Sequence, residues 1–193
     1  MPAAILARLV VLEAHRGGLP WLAAACIAAG AALAAFLSQV ALTESRELQV
    51  AIVAAWLRAC AVFLLAAHVA TRTLREIDDK ALELMLALPV GRPSQYLGRL
   101  AGLAACGALL AAAFAAPLAV LAPPGAVALW ALSLALELAL VAAAALFFAM
   151  TLVQPVPAIA ATAGLYLLAR SIAHARLVTL DSGNHDLLAT EPA

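Results

Sequence analysis

The stretch AVALWALSLALELALVAAAALFFAM, residues 126–150, contains a single charged residue, Glu137. A helix needs about 20 consecutive, mostly apolar residues to cross the hydrocarbon core of a bilayer. This stretch is long enough to do so, and several other windows of the chain have the same character. The sequence therefore predicts an all-α integral membrane protein.

The composition of the whole chain supports this prediction. The chain has 193 residues, of which 67% are hydrophobic and 11% are charged. No soluble domain of this size has enough interior to bury so much apolar sequence. The formal net charge is zero, but in a membrane protein the side on which charges lie matters more than their sum.

We predict a single transmembrane domain over residues 1–193. An N-terminal interfacial helix is expected over residues 3–16, where apolar Ile5 and Leu9 alternate with polar Arg8 and Glu13. About five spans follow, near residues 19–42, 48–70, 100–121, 126–150 and 152–169. Residues 71–99 form a polar connection and residues 170–193 a polar tail.

The distribution of Lys and Arg predicts the orientation. With the N-terminus inside, seven of these residues fall in cytoplasmic segments and three in outer segments. Cytoplasmic loops carry the excess of positive charge in most membrane proteins. We therefore expect the connection at 71–99 to be cytoplasmic and the tail to lie outside.

The connection has the pattern of an amphipathic helix. Thr73 and Glu76 fit a capping box, which would satisfy free N–H groups at a helix start. Apolar residues then recur on one helix face as far as Leu88, and Pro89 ends the helix because it lacks an N–H. On this pattern alone, a surface helix that only joins two spans is an equally good interpretation.

Residues 73–102, TLREIDDKALELMLALPVGRPSQYLGRLAG, resemble the segment between the second and third spans of type-2 ATP-binding cassette (ABC) exporter permeases. The matching residues are Arg75, Glu76, Leu82, Glu83, Leu84, Leu86, Leu88, Pro89, Val90, Leu97, Gly98 and Arg99. Lys80-Ala81 replaces the Gly-Thr that usually precedes Leu-Glu in the family. The family has six spans, so we expect the sixth to be missing from this chain.

The resemblance implies that this segment is a coupling helix, which lies in a groove of a cytoplasmic ATPase subunit. The residues implied in that contact are Glu76, Asp78, Asp79, Glu83, Leu84, Leu88 and Pro89. Glu83 is the candidate for a polar contact with the ATPase, and a solvated surface charge is its alternative role. The chain itself would bind no cofactor, since ATP and Mg²⁺ would be held by the ATPase.

The resemblance also implies a partner permease and a location. Two permease copies, identical or paralogous, would form a dimer in the bacterial inner membrane with two ATPase subunits attached. Two alternatives stay open. The haem exporter B subunit of cytochrome c maturation resembles the same segment through Asp78-Asp79 and Leu82-Glu83, and a small helical membrane scaffold without transport is an alternative of another class.

Two charged residues lie inside predicted spans. Arg58 and Glu137 both fall at a depth of ~15–17 Å along parallel spans, near the bilayer centre. A lone charge there costs about 2.5–3.5 kcal/mol on insertion scales, so it normally faces the bundle interior and finds a partner. Ser133, one turn before Glu137, extends the polar stripe. The two charges either pair to fix helix register or line a substrate pathway.

Other patterns are weaker or absent. Gly98 and Gly102 form a small-xxx-small pair that would allow close helix packing. The sequence contains no Walker A pattern, no HExxH and no GxSxG, so we expect neither catalytic residues nor a metal site. It also has no basic patch that would indicate nucleic-acid binding.

Overall fold

The structure, a computed structural model, describes residues 8–14, 17–40, 46–79 and 92–189 of the chain. Helices and short turns account for these residues, and none of them forms a strand. The helices are α1 (8–14), α2 (Leu19–Val40), α3 (Arg46–Asp78), α4 (Arg92–Ala115), α5 (Leu118–Leu121), α6 (Pro124–Leu152) and α7 (Pro155–Ala189).

Five of the described helical segments are long and apolar enough to cross a membrane. They are Leu19–Gln39, Arg46–Asp78, Gln95–Leu121, Pro124–Leu152 and Pro155–Ala173. Each corresponds to one of the five predicted spans. The prediction of an all-α, multi-pass membrane protein is therefore confirmed.

The surface of the bundle is apolar, as a lipid-facing surface must be. Large hydrophobic side chains point outward along every span, among them Trp21, Leu129, Leu140 and Val156, each more than 70% exposed. In water each such side chain would forgo about 1.5–3 kcal/mol of burial free energy. In lipid this cost disappears, because acyl chains are as apolar as the side chains.

Helix α3 is longer than predicted. It continues past Ala70 to Asp78, so residues 71–78 belong to the span helix and not to a separate connection. Thr73 is buried inside α3, and the interpretation of Thr73 and Glu76 as a capping box is wrong. The helix continues because Ala70 and Leu74 pack against Ala149 of α6.

The third span is divided near its end. Helix α4 begins at Arg92 and ends at Ala115, and the short α5 follows from Leu118. Pro117 precedes α5 with a φ of −65° and ψ of −30°. Its ring removes an N–H and crowds the preceding turn, which interrupts the helix at this point.

The last helix extends through most of the predicted polar tail. α7 begins at Pro155, where the missing N–H of proline costs nothing, and continues to Ala189. Val153 has a φ of 50°, so the turn between α6 and α7 uses a left-handed residue to reverse the chain. Residues 170–189 are therefore helical, and residues 190–193 lie outside the described part of the chain.

Helices α3 and α6 run in the same direction. At their first residues, Arg46 Nε donates a hydrogen bond of 3.3 Å to the carbonyl oxygen of Leu121, just before α6. At the far end, Ala70 and Leu74 of α3 meet Ala149 of α6. Helices α2, α4 and α7 run the opposite way. We call the two ends of the bundle the Arg46 end and the Asp78 end.

The core lies around α3 and α6, against which α2, α4 and α7 pack. Its fully buried side chains include Val53, Leu57, Leu65, Phe114, Leu134, Leu138 and Leu146. Two glycines let the helices approach closely. A Cβ on Gly30 would lie 2.8 Å from Leu57 Cδ2, and one on Gly107 would lie 3.1 Å from Leu138 Cβ.

Candidate functional site: a charge cluster in the centre of the bundle

Three charged side chains meet in the middle of the bundle. Arg58 comes from α3, Glu137 from α6 and Arg170 from α7, and we call them the central charge cluster. Nη1 of Arg58 lies 3.1 Å from Oε2 of Glu137, and Nη1 of Arg170 lies 3.3 Å from Oε1 of the same carboxylate. One carboxylate therefore faces two guanidinium groups.

The parallel course of α3 and α6 places Arg58 and Glu137 at the same level. Each lies roughly 18–20 Å along its helix from the Arg46 end, at 1.5 Å per residue. Their depth in the sequence predicts a contact, and the structure makes that contact through a direct ion pair. Ser133, the third residue of the predicted stripe, belongs to the same group.

Three residues of α6 hold the Arg58 side chain, and Glu137 is one of them. Its Nη2 donates a hydrogen bond of 2.9 Å to Ser133 Oγ, and the Ser133 hydroxyl donates one of 2.8 Å to the carbonyl oxygen of Trp130. The guanidinium carbon lies 5.5 Å from the centre of the Trp130 ring, which is within cation–π range. These contacts fix the orientation of Arg58 independently of Arg170.

The carboxylate of Glu137 is only partly satisfied. Its Oε2 atom is buried, and although Arg58 lies 3.1 Å away, it accepts no hydrogen bond from the described residues. Its Oε1 accepts a hydrogen bond from Arg170, and the Tyr166 side chain lies beside the same carboxylate. Electrostatic attraction, and not a saturated hydrogen-bond network, therefore holds the cluster together.

Arg170 is the member that sequence reasoning missed, because hydropathy assigns it to a polar tail. A signal for it does exist in the chain. Glu137 and Leu152, the last residue of α6, are separated by a certain number of residues. The same number separates Pro155, the first residue of α7, from Arg170. Two antiparallel helices joined by a tight turn bring such mirrored positions to the same level.

A second group of charges lies at the Asp78 end. Nη1 of Arg72 lies 2.9 Å from Oε1 of Glu13, which ties α1 to α3. Arg99 of α4 forms an ion pair with Glu76 of α3. We call these four residues the end cluster.

The end cluster surrounds a small polar cavity of about 20 Å³, which His68 and Thr73 also line. That volume is close to the minimum for one water molecule.

The residues expected to contact an ATPase divide into three groups. Glu76 is half-buried and paired with Arg99, so its carboxylate is turned into the bundle. Asp78 and Asp79 are exposed at the end of α3. The remaining four, Glu83, Leu84, Leu88 and Pro89, lie outside the described residues.

The predicted small-residue face of α4 is buried. Gly98 and Gly102 are both buried. Cys106 and Gly107 continue the same face one turn further on, and there Gly107 approaches Leu138 of α6 and Leu65 of α3. The glycine pair therefore begins a longer strip along which α4 packs into the bundle.

An open groove of about 850 Å³ lies at the Arg46 end, between the start of α3 and the segment that joins α5 to α6. Arg46 and Glu47 are its only charged lining residues within the described part of the chain. In the same part of the chain, no three His, Cys, Asp or Glu side chains come together as metal ligands would.

Comparison with protein-family models gave no match, and comparison with curated proteins gave none either. The fold and the site therefore define the class of this chain by themselves. It is an all-α, multi-pass membrane protein with an ion-paired cluster inside its helical bundle.

Proposed function

We propose that this chain is the membrane-spanning permease subunit of a type-2 ABC exporter. It would work as a dimer with a second permease in the bacterial inner membrane, with its N-terminus in the cytoplasm. Separate ATPase subunits would hold ATP and Mg²⁺ and would drive substrate movement. The proposal starts from the resemblance of residues 73–102 to the coupling segment of that family.

The observation that carries the proposal is the Glu76–Arg99 ion pair. Residues 80–91, which contain most of the coupling motif, join α3 to α4. The ion pair connects these two helices on either side of that segment, from the last turn of α3 to the second turn of α4. A force applied to the segment would therefore reach both spans together, as transmission of a rigid-body movement requires.

The attachment of α1 supports the same role. Arg72, one turn before Glu76 on α3, pairs with Glu13 of α1. Three helices thus share one set of charged contacts at the Asp78 end. With the N-terminus inside, this is the cytoplasmic end, which is where an ATPase would dock.

Co-purification tests the proposal directly. A tagged chain expressed from its native locus and extracted in a mild detergent should retain a protein that carries a Walker A motif. The control is a chain in which Gly-Ser-Gly-Ser replaces Glu83, Leu84, Leu88 and Pro89; it should insert normally and lose that protein. Recovery of the intact chain without any ATP-binding subunit would favour a membrane scaffold and reject the transporter.

A substitution at Glu83 separates coupling from assembly. If Glu83 contacts the ATPase, Glu83→Lys reverses the charge at the interface, and ATP hydrolysis by the complex should no longer respond to the permease. Glu47→Lys, at the start of α3, is the matched control, because it makes the same charge change on an exposed residue at the opposite end of the bundle. Equal ATPase stimulation in wild type and Glu83→Lys would remove the coupling role from Glu83.

A further inference from the structure

The central charge cluster does not balance. Arg58 and Arg170 carry two positive charges and Glu137 carries one negative charge. The sequence supplies no other acid at this depth. Glu137 is the only acidic residue in 48–75 and 92–175, which together cover the helices around the cluster. The interior of the bundle therefore holds one uncompensated positive charge.

Of the two guanidinium groups, that of Arg170 is the one that can bind a further group. Its side chain is 37% exposed, against 17% for Arg58, and among the described residues it donates a long hydrogen bond to Glu137 and lies near Tyr166. A guanidinium has five N–H donors, and leaving them without acceptors in a low-dielectric environment is costly. No acidic residue lies within four positions of Arg170 along the chain.

A second copy of the chain does not supply the missing charge. Every copy brings the same two arginines and the same single glutamate, so a dimer would double the imbalance. Among the described residues no acid is left to neutralise the cluster, and an anionic group of another molecule would supply the missing charge. A guanidinium fork fits the paired oxygens of a phosphate or carboxylate, which is the geometry that arginine binds most strongly.

We infer that the central charge cluster is an anion-binding site, in which Arg170 binds the phosphate or carboxylate of a ligand within the membrane and Arg58 completes the positive field. Glu137 orients the two guanidinium groups and leaves one net charge for the ligand. Two sources share this chemistry, a membrane-borne amphiphile and a free anion. That such an anion is the exported cargo rests on the proposed function, whereas its binding here does not.

Thermal unfolding of the purified protein in neutral maltoside micelles tests the inference. A ligand that binds only the folded state raises the unfolding temperature, and the rise grows with the logarithm of the ligand concentration relative to Kd. Dodecyl phosphate should stabilise the wild type, and dodecanol, which has the same chain and no charge, should not. Inorganic phosphate distinguishes the sources: competition with dodecyl phosphate identifies a free-anion site, and its absence identifies an amphiphile site.

Variants at Arg170 assign the binding to the cluster. Arg170→Gln should weaken the apparent affinity for dodecyl phosphate roughly ten- to hundredfold, the factor expected from losing one hydrogen bond to a charged group. Arg170→Lys keeps the charge but loses the planar fork, so its affinity should lie between those of the wild type and Arg170→Gln. Arg46→Gln removes the same charge at the Arg46 end and should change nothing.

Equal affinities of the wild type and Arg170→Gln would overturn the inference, and so would equal stabilisation by dodecanol. The assay contains no ATPase. If these results contradict the anion site, the transporter proposal is therefore unaffected. If no ATPase co-purifies with the chain, the anion site is unaffected.

Discussion

Glu76 on α3 and Arg99 on α4 form an ion pair in which both side chains are largely shielded, with exposures of 28% and 16%. The two residues belong to different helices. The pair therefore joins two helices that the chain connects only through residues 80–91.

Removing one partner of this pair should destabilise the fold. Arg99→Gln leaves the half-buried Glu76 carboxylate without its cation, and we expect a loss of about 1–3 kcal/mol. Thermal unfolding in detergent measures it. The control, Arg75→Gln, removes an exposed charge one residue from Glu76 and should cost less than about 0.5 kcal/mol. Equal losses for the two variants would show that the pair contributes nothing.

Replacing Glu137 should destabilise the fold more than replacing Arg58. In Glu137→Gln two guanidinium groups face each other without a counterion, whereas in Arg58→Gln the carboxylate still has Arg170. We expect Glu137→Gln to be the more destabilising single change, and the double variant to be more stable than Glu137→Gln alone. The coupling free energy from the double-mutant cycle should be about 1–3 kcal/mol. Strictly additive losses would contradict an interaction between the two residues.

Gly107 should tolerate no larger side chain. A Cβ at this position would lie 3.1 Å from Leu138 Cβ and 3.5 Å from Leu65 Cδ2, so Gly107→Val should force the helices apart and cost about 1–3 kcal/mol. Gly164 of α7 offers a matched control, because nothing lies within 4 Å of a Cβ built there. Gly164→Val should unfold at the wild-type temperature or above it. If both variants behaved alike, the close approach at Gly107 would not be a packing constraint.

The predicted orientation can be tested with cysteine labelling. In a variant whose native Cys26, Cys60 and Cys106 are replaced by alanine, Asn184→Cys should react with an impermeant maleimide in intact cells. Asp79→Cys, at the opposite end of the bundle, should react only after the membrane is opened. The reverse pattern of labelling would place the N-terminus outside and remove the cytoplasmic location from the end cluster.

Hydropathy predicts the five spans well because burial in lipid requires long apolar runs, and no tertiary contact is needed to recognise them. It predicts helix ends poorly. The residues after Ala70 are polar, so hydropathy ends the span there, yet α3 continues because Leu74 packs against α6 and Glu76 pairs with α4. Contacts between helices determine that the residues after Ala70 stay helical, and a single sequence does not show such contacts.

The sequence predicts two members of the central charge cluster and misses the third. Arg58 and Glu137 are conspicuous because each is alone in an apolar span, and equal depth suggests that they pair. Arg170 is not conspicuous, since the apolar run of the fifth span ends just before it and polar residues follow. Only the position of the turn after Leu152, which fixes how α7 folds back along α6, brings Arg170 to Glu137.

The order of the cluster along the chain has a consequence for biosynthesis. Arg58 leaves the ribosome first, Ser133 follows 75 residues later, and Arg170 comes 33 residues after Glu137. Helix α3 must therefore enter the bilayer before any partner of Arg58 exists. Its leucines, valines and phenylalanine have to offset the insertion cost of that arginine, about 2.5–3.5 kcal/mol. The cluster can form only after α7 has been inserted, so its completion requires all three helices to be in the bilayer.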